Sequence, residues 1–175
     1  MKIKYCVDQL SQIRRHWYDI IKLVTIRGFN DNLNRLKFLS KQEAVCVYAY
    51  DEESKKVLGV VIFTCILDNS EYTRNKLQEL NIHHKETMQN GLIFVDQNYT
   101  GLGIATNLFD IRNRVGYDMG FRYVITTHFE GAAGRDWQAK KLKTHYLDEN
   151  IIIVKLQEGS IKNGTITNNP STYSR

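Results

Sequence analysis

The residues best suited to chemistry lie between Tyr99 and Thr106, in the run Tyr-Thr-Gly-Leu-Gly-Ile-Ala-Thr. Gly101 and Gly103 permit backbone conformations and close approaches that a Cβ would forbid. A helix starting just after them presents N–H groups with no acceptor inside the helix, backed by the positive end of its dipole. That arrangement suits a phosphate or pyrophosphate. The spacing lacks the third glycine of a dinucleotide fingerprint and the Lys-Ser/Thr ending of a P-loop. Two glycines before a helix also make a plain tight turn, so the flanking elements have to decide.

Those elements have the required form. Leu92-Ile93-Phe94-Val95 is a short apolar run of strand type. After the glycines, Ala105, Leu108, Ile111 and Val115 share one face of a helix that ends near Asp118, with Gly120 as its C′ residue. The unit is strand, glycine turn, helix.

At these residues the sequence resembles the GCN5-related N-acetyltransferases (GNAT). Their signature is an aromatic residue, Arg or Gln, two residues, Gly, one residue, then Gly or Ala. Tyr99, Gly103 and Ala105 match it, while Thr100 stands at the Arg/Gln position. Phe94-Val95-Asp96 resembles the family's fourth strand. The resemblance is firmest from Asn90 to Phe129 and weaker from Tyr48 to Leu67. It implies an α/β fold with a mixed central sheet, in which the strands on either side of the glycine-turn helix run parallel and splay apart. It also implies acetyl-CoA as cofactor. Backbone groups of Phe94 and Val95 would pair with the pantetheine arm. The amides of Gly101, Leu102, Gly103, Ile104 and Ala105 would hold the pyrophosphate, with Thr100 and Thr106 in the same site. A hydroxyl at Thr100 cannot supply the charge of an arginine, which makes Arg112 and Arg114 the candidates to replace it. The implied activity is acetyl transfer to a primary amine of a small molecule or a protein, by direct attack in a ternary complex.

Such a transfer needs a neutral amine, a stabilised oxyanion and a proton for the leaving thiolate. Family members commonly take that proton from a tyrosine on the helix after the fifth strand, four residues beyond a small residue. Counted from Ala139 the position holds Lys143, and the nearest tyrosine is Tyr146. A phenol with an ordinary pKa near 10 is a suitable donor to a thiolate. Tyr146 also continues the Ala139/Leu142 face, which is the position of a core tyrosine. His128, with Glu130 beside it, is the candidate base or water-relay residue, or else a solvated histidine at a strand end. Asp96 falls at a turn position that is usually structural. His83 and His84 read as surface residues, and nothing has metal-ligand spacing.

A second, shorter resemblance lies in Gly131-Ala-Ala-Gly134-Arg-Asp-Trp137-Gln138-Ala139, which is similar to a stretch of the phage DNA-modifying acyltransferases of the Mom type. With a formal charge of +5 and the basic residues Arg14, Arg15, Lys140, Lys141 and Lys143, it makes a DNA-base substrate or a nucleic-acid partner the alternative reading.

The remaining elements must position this site. Lys2 to Val7 alternates as an edge strand. Asp8 is a good N-cap for a helix over residues 9–26, with Leu10, Ile13, Trp17, Ile20, Ile21 and Val24 at helical spacing and Gly28 ending it. Asn30 to Gln42 reads as a second, shorter helix. Ala44–Tyr50 and Val57–Leu67 form an antiparallel hairpin, its second strand buried on both faces. Asp68 to Gln89 is an insert with one helix carrying Leu77, Leu80 and Ile82. After the glycine unit come a strand over Tyr123–Phe129, a helix over Arg135–Tyr146 and a strand over Ile151–Leu156. The expected organisation is one domain over 1–158 and a polar tail over 159–175, with one short strand at Thr165–Thr167.

Composition sets the outer bounds. The chain has 175 residues, 42% of them hydrophobic, enough for one globular domain with a real core. No apolar run has the length of a membrane span, and Met1-Lys2-Ile3-Lys4 has no signal-peptide core. The expectation is a cytoplasmic monomer or homodimer without a membrane partner. Cys6, Cys46 and Cys65 sit singly in apolar runs, the pattern of reduced, buried thiols.

Overall fold

Runs such as Ala44–Asp51 and Lys56–Thr64, rich in β-branched and aromatic residues, satisfy their backbone groups as strands with a neighbour on each side. The computed structural model describes residues 1–25, 30–65, 70–127, 144–147, 151–158 and 166–168. In chain order they form β1 (Ile3–Gln9), α1 (Trp17–Thr25), α2 (Asn30–Leu39), β2 (Ala44–Asp51), β3 (Lys56–Thr64), α3 (Glu71–Glu79), β4 (Thr87–Val95), α4 (Ile104–Asp118), β5 (Tyr123–Thr126), β6 (Thr144–Leu147), β7 (Ile152–Lys155) and β8 (Ile166–Asn168). This is a mixed α/β architecture, with parallel and antiparallel strand pairs. No helix among the described residues is long and apolar enough to cross a membrane.

The chain divides into two compact units, the first made of residues 1–64, 91–112 and 160–175. In it β1, β2 and β3 pair antiparallel, with Tyr5 opposite Ala49 and Ala49 opposite Gly59. The second half of β4 lies beside β3. On the outer side β8 runs parallel to β1, from Tyr5↔Ile166 to Val7↔Asn168, so part of the polar tail enters the sheet. Both β2 and β3 are buried on both faces. One face is covered by Ile20, Leu23 and Val24 of α1 and by Leu36 and Leu39 of α2. These pack with Cys46, Tyr48, Val60, Ile62, Leu92 and Phe94 in one core.

The helix expected over residues 9–26 is broken. Leu10–Gln12 is a single 3-10 turn, and α1 starts at Trp17. Asp8 does not cap it, because Asp8 lies within β1 and its Oδ2 accepts a hydrogen bond from the Tyr48 hydroxyl at 2.8 Å. Leu10 and Ile13 are buried all the same, so their spacing imitates a helical face. The second helix also ends early, at Leu39, where Ser40, Lys41 and Gln42 close the end with bonds to Leu36, Phe38 and Leu39 carbonyls.

The β2–β3 turn is built on Asp51. Its carboxylate accepts from the Ser54 hydroxyl at 2.6 Å and from the amides of Ser54, Glu53 and Lys2 at 3.2, 3.3 and 3.1 Å. The Ser54 hydroxyl is the main cause that lowers its pKa from 3.8 to about 2. A carboxyl that is more acidic in the folded state stabilises the fold above its unfolded pKa and loses that effect as pH falls through its folded one. Asp51→Asn is therefore expected to lower the melting temperature at pH 7. It should also flatten the fall in melting temperature between about pH 4 and pH 2, read by thermal melts of both proteins across that range.

The second unit comprises residues 65–90 and 113–159. Here β4 and β5 are parallel, and among the described residues they pair from Thr87↔Tyr123 to Gln89↔Ile125. β5 and β6 both pair antiparallel with β7. The core is Leu77, Ile82, Ile125, Ile151 and Ile153. Ser70 caps α3, its hydroxyl accepting from Thr73 N at 3.2 Å. α4 ends at Gly120, whose φ of +98° closes the helix with Gly120 N on Tyr117 O at 2.9 Å and Phe121 N on Gly116 O at 3.0 Å.

Two expectations for this unit change. Thr87–Gln89, assigned to the insert, already belong to β4. The helix expected over Arg135–Tyr146 does not reach Tyr146, because Thr144–Leu147 is a strand paired with β7, with a register shift between Thr144 and Tyr146. β-Branched and aromatic residues opposite Ile152–Lys155 complete a hairpin there. Residues 135–143 lie outside the described residues.

Candidate functional site

β4 leads into the glycine turn through Asp96. Its N–H donates to Leu58 O at 2.8 Å. Its carboxylate accepts from the Asn98 amide at 2.9 Å and from Asn98 Nδ2 at 3.0 Å. Asp96 thus fixes the exit from the strand, the structural role its turn position suggested. A 3-10 turn over Gln97–Tyr99 follows. The Thr100 hydroxyl donates to Gln97 O at 3.0 Å, inside that same turn.

Gly101 and Gly103 have φ of +81° and +74°, a left-handed conformation that other residues enter at a cost of about 1–2 kcal/mol. A Cβ added at either would meet nothing within 4 Å. The glycines are therefore required by backbone conformation, and none of the described residues presses on them. The space in front of the turn is open to a ligand.

The helix that follows is held from two sides. Gly59 of β3 lets it come close: a Cβ there would stand 3.0 Å from Ile104 Cγ2 and 3.1 Å from Leu108 Cδ1. Asn107 Nδ2 donates to the Tyr5 hydroxyl at 2.9 Å. The first bond into the helix is Asn107 N on Gly103 O at 3.0 Å, which leaves the amides of Ile104, Ala105 and Thr106 without an acceptor inside the helix. No acidic residue sits in the first turn. Three N–H groups, a positive dipole end and open space make a site for a phosphate group.

β4 supplies a second element. Asp96 N bonds to Leu58 O, and Phe94 O lies 3.2 Å from the Cβ position of Gly59. The backbone groups of Phe94 and Asp96 thus face β3. By the alternation of a strand, those of Val95 and Ile93 face away from β3. The Phe94 side chain is buried in the core, and Val95 is half-buried.

The two arginines named as replacements for a charge at Thr100 are each engaged within α4. Arg112 is fully buried, its guanidinium 4.4 Å from the Phe109 ring centre. Burial lowers its pKa to about 9, against the opposing pull of Asp110. Arg114 Nε donates to both carboxylate oxygens of Asp118 at 3.2 and 3.0 Å. The hydrogen-bonding groups at the glycine turn are thus mostly backbone amides.

Of the residues considered for catalysis, His128 lies outside the described residues, as do Glu130, Lys143 and the run 131–139. Tyr146 belongs to the second unit and sits on β6, half-buried against the Leu77/Ile82 core. Lys76 of α3 stands over its ring, 5.0 Å from the centre, and pairs with Glu79 at 2.7 Å. Glu79 first, then the Tyr146 hydroxyl, raise the Lys76 pKa. His83 and His84 are exposed and stacked on each other at 4.7 Å, and His83 Nδ1 accepts from Lys85 N at 3.2 Å. The sequence alone did not single out Gly59, Asn107 or Tyr5. A lone glycine inside an apolar strand was the available signal for the first, since it marks close approach of another element.

No protein-family model and no curated protein matches the sequence. Solved structures match in fold. A GNAT-family acetyltransferase from Staphylococcus aureus Mu50 superposes with a TM-score of 0.62 at 12% identity, over 89% of this chain and 100% of that one. Tetrahymena GCN5 gives 0.58 at 11% identity, over 91% and 99%. A mosquito arylalkylamine N-acetyltransferase like 5b gives 0.58 at 16% identity, over 89% and 100%. The chain has the GNAT fold.

Proposed function

We propose that this chain is an acetyl-CoA-dependent N-acetyltransferase that moves an acetyl group to a primary amine by direct attack in a ternary complex. The observation that carries the reading is the left-handed glycine turn, open in front and followed by three helix amides without an intrahelical acceptor. Acetyl-CoA would supply the activated thioester. The amides from Gly101 to Thr106 would hold its pyrophosphate, and the backbone groups of Val95 and Ile93 that face away from β3 would bond to the amides of its pantetheine arm. Thr100, its hydroxyl bonded within its own turn, would contribute its position rather than a charge.

Calorimetry with CoA and acetyl-CoA tests the binding step: no heat at millimolar ligand overturns it. An acetylation assay on a panel of amines, read by mass, tests the transfer. Tyr146 is the proposed proton donor to the leaving thiolate, with His128 as the proposed relay. Tyr146→Phe is expected to lower turnover about 10²-fold, at the low end for general acid catalysis, with CoA affinity unchanged. Turnover at the wild-type rate assigns the phenol to packing with Lys76 and the Leu77/Ile82 core instead.

A further inference from the structure

α1 and α2 bury Ile20, Leu23, Val24, Leu36 and Leu39 in one core over one sheet face. Their opposite faces therefore both turn away from that sheet. On α1 that face carries Tyr18 and, one turn on, Lys22; on α2 it carries Asn34, Lys37 and Phe38, followed by Lys41. Tyr18 is 74% exposed and Phe38 61%, the highest values among the large exposed hydrophobic side chains. Arg14 and Arg15, just before α1, are also exposed. Among the described side chains neither stripe holds a carboxylate; Asp31, in the first turn of α2, is not one of them. Asp19 is half-buried beside Tyr18, and Glu43 is exposed beyond Lys41. Residues 9–43 contain seven Lys and Arg against three Asp and Glu, so they hold most of the chain's formal charge of +5.

Exposed flat rings interleaved with cations are the chemistry of a single-stranded nucleic acid: rings stack on unpaired bases while lysines follow the phosphates. A second copy of the same face would bring like charges together. A membrane surface would call for a broader apolar band than two separate rings. We infer that the outer face of α1 and α2 binds single-stranded nucleic acid, with Tyr18 and Phe38 as stacking platforms and Lys22, Lys37 and Lys41 on the phosphates. The inference is independent of acetyl transfer.

The test is fluorescence anisotropy of the full chain with labelled oligothymidylate and oligouridylate of about twelve nucleotides, within the span such sites cover, from low to physiological salt. Binding is expected to weaken with salt. Lys37→Gln with Lys41→Gln should reduce the slope of log affinity against log salt by about 1.4, since each phosphate contact contributes about 0.7 on a single strand. Tyr18→Ala and Phe38→Ala should each cost about tenfold in affinity with the slope unchanged. Lys85→Gln, exposed in the second unit, should change neither. Thermal melts of the variants establish that each is folded. Absent binding at low salt overturns the inference. So does duplex binding as tight as single-strand binding, or indifference to loss of both rings. An equal effect of Lys85→Gln leaves only net charge and overturns it too. So does binding to phosphatidylserine vesicles, without oligonucleotide binding, that is lost with Phe38→Ala. A dimer in sedimentation that Phe38→Ala dissolves likewise gives the face to a second copy.

Discussion

Gly103→Asp is expected to raise the dissociation constant for CoA by at least about a hundredfold, roughly 2.7 kcal/mol. Gly103 holds φ at +74° at the entry to α4, and its carbonyl accepts the first helical bond. An aspartate tolerates that conformation better than most residues. None of the described residues lies within 4 Å of the new Cβ, so they leave room for it. What changes is charge: a carboxylate now occupies the space in front of the amides of Ile104 to Thr106 and repels a pyrophosphate. Gly103→Ala separates the two effects. It meets the same open space and the full left-handed strain, so it should cost about 1–2 kcal/mol of stability and much less of the affinity. Calorimetry and thermal melts on both variants give the answer. A folded Gly103→Asp that binds CoA as the wild type does would remove the phosphate from this helix end.

Gly59→Val is expected to be the most damaging single change to the architecture beneath the site. Its Cβ would lie 3.0 Å from Ile104 Cγ2, 3.1 Å from Leu108 Cδ1 and 3.2 Å from Phe94 O. The first two are side-chain atoms that can shift. The third is backbone in the adjacent strand and cannot move without disturbing the sheet. Two further methyl groups leave no arrangement in which α4 keeps its place. Overpacking of this kind costs about 1–3 kcal/mol, which for a chain of this size lowers the melting temperature by roughly 3–10 °C. Because Ile104 is also the first residue of α4, the displacement should weaken CoA binding in the molecules that remain folded. Gly59→Ala should show both effects in reduced form. A Gly59→Val protein with wild-type melting temperature and CoA affinity would mean that α4 is not seated through this contact.

The parts legible in the sequence are those where one local pattern dominates. The run from Val57 is apolar at nearly every position because both faces of β3 are covered, and such a run has few alternatives. The glycine turn was legible for a similar reason: two positive-φ residues before an amphipathic face define the turn and the helix together. The misreadings arose where two structures share one pattern. Leu10, on a 3-10 turn, and Ile13, just after it, are buried at spacings that also fit the face of α1. Tyr146 falls in helical register with Ala139 and Leu142, yet its partner is across a hairpin, in β7. Asp8 has the character of a cap, but Tyr48, forty residues away, takes its carboxylate. Contacts of that range leave no mark in the local sequence. Arg112 is a different case, because its signal was present: it stands four residues after Leu108 and three before Val115, on the apolar face of α4, and it is buried there.

The parallel pairing of β8 with β1 joins Tyr5 to Ile166, and so joins two segments that are synthesised at well-separated times. At about 5–20 residues per second, the ribosome needs roughly ten to thirty seconds to make the chain between them. Through that interval the hydrogen-bonding groups on the outer edge of β1 face water, or any other strand that comes within reach. β1 can pair with β2 early, since the sequence separation is short, whereas pairing with β8 must close a far longer loop. The nascent chain is thus open to intermolecular strand addition along β1 until β8, far downstream, has been made.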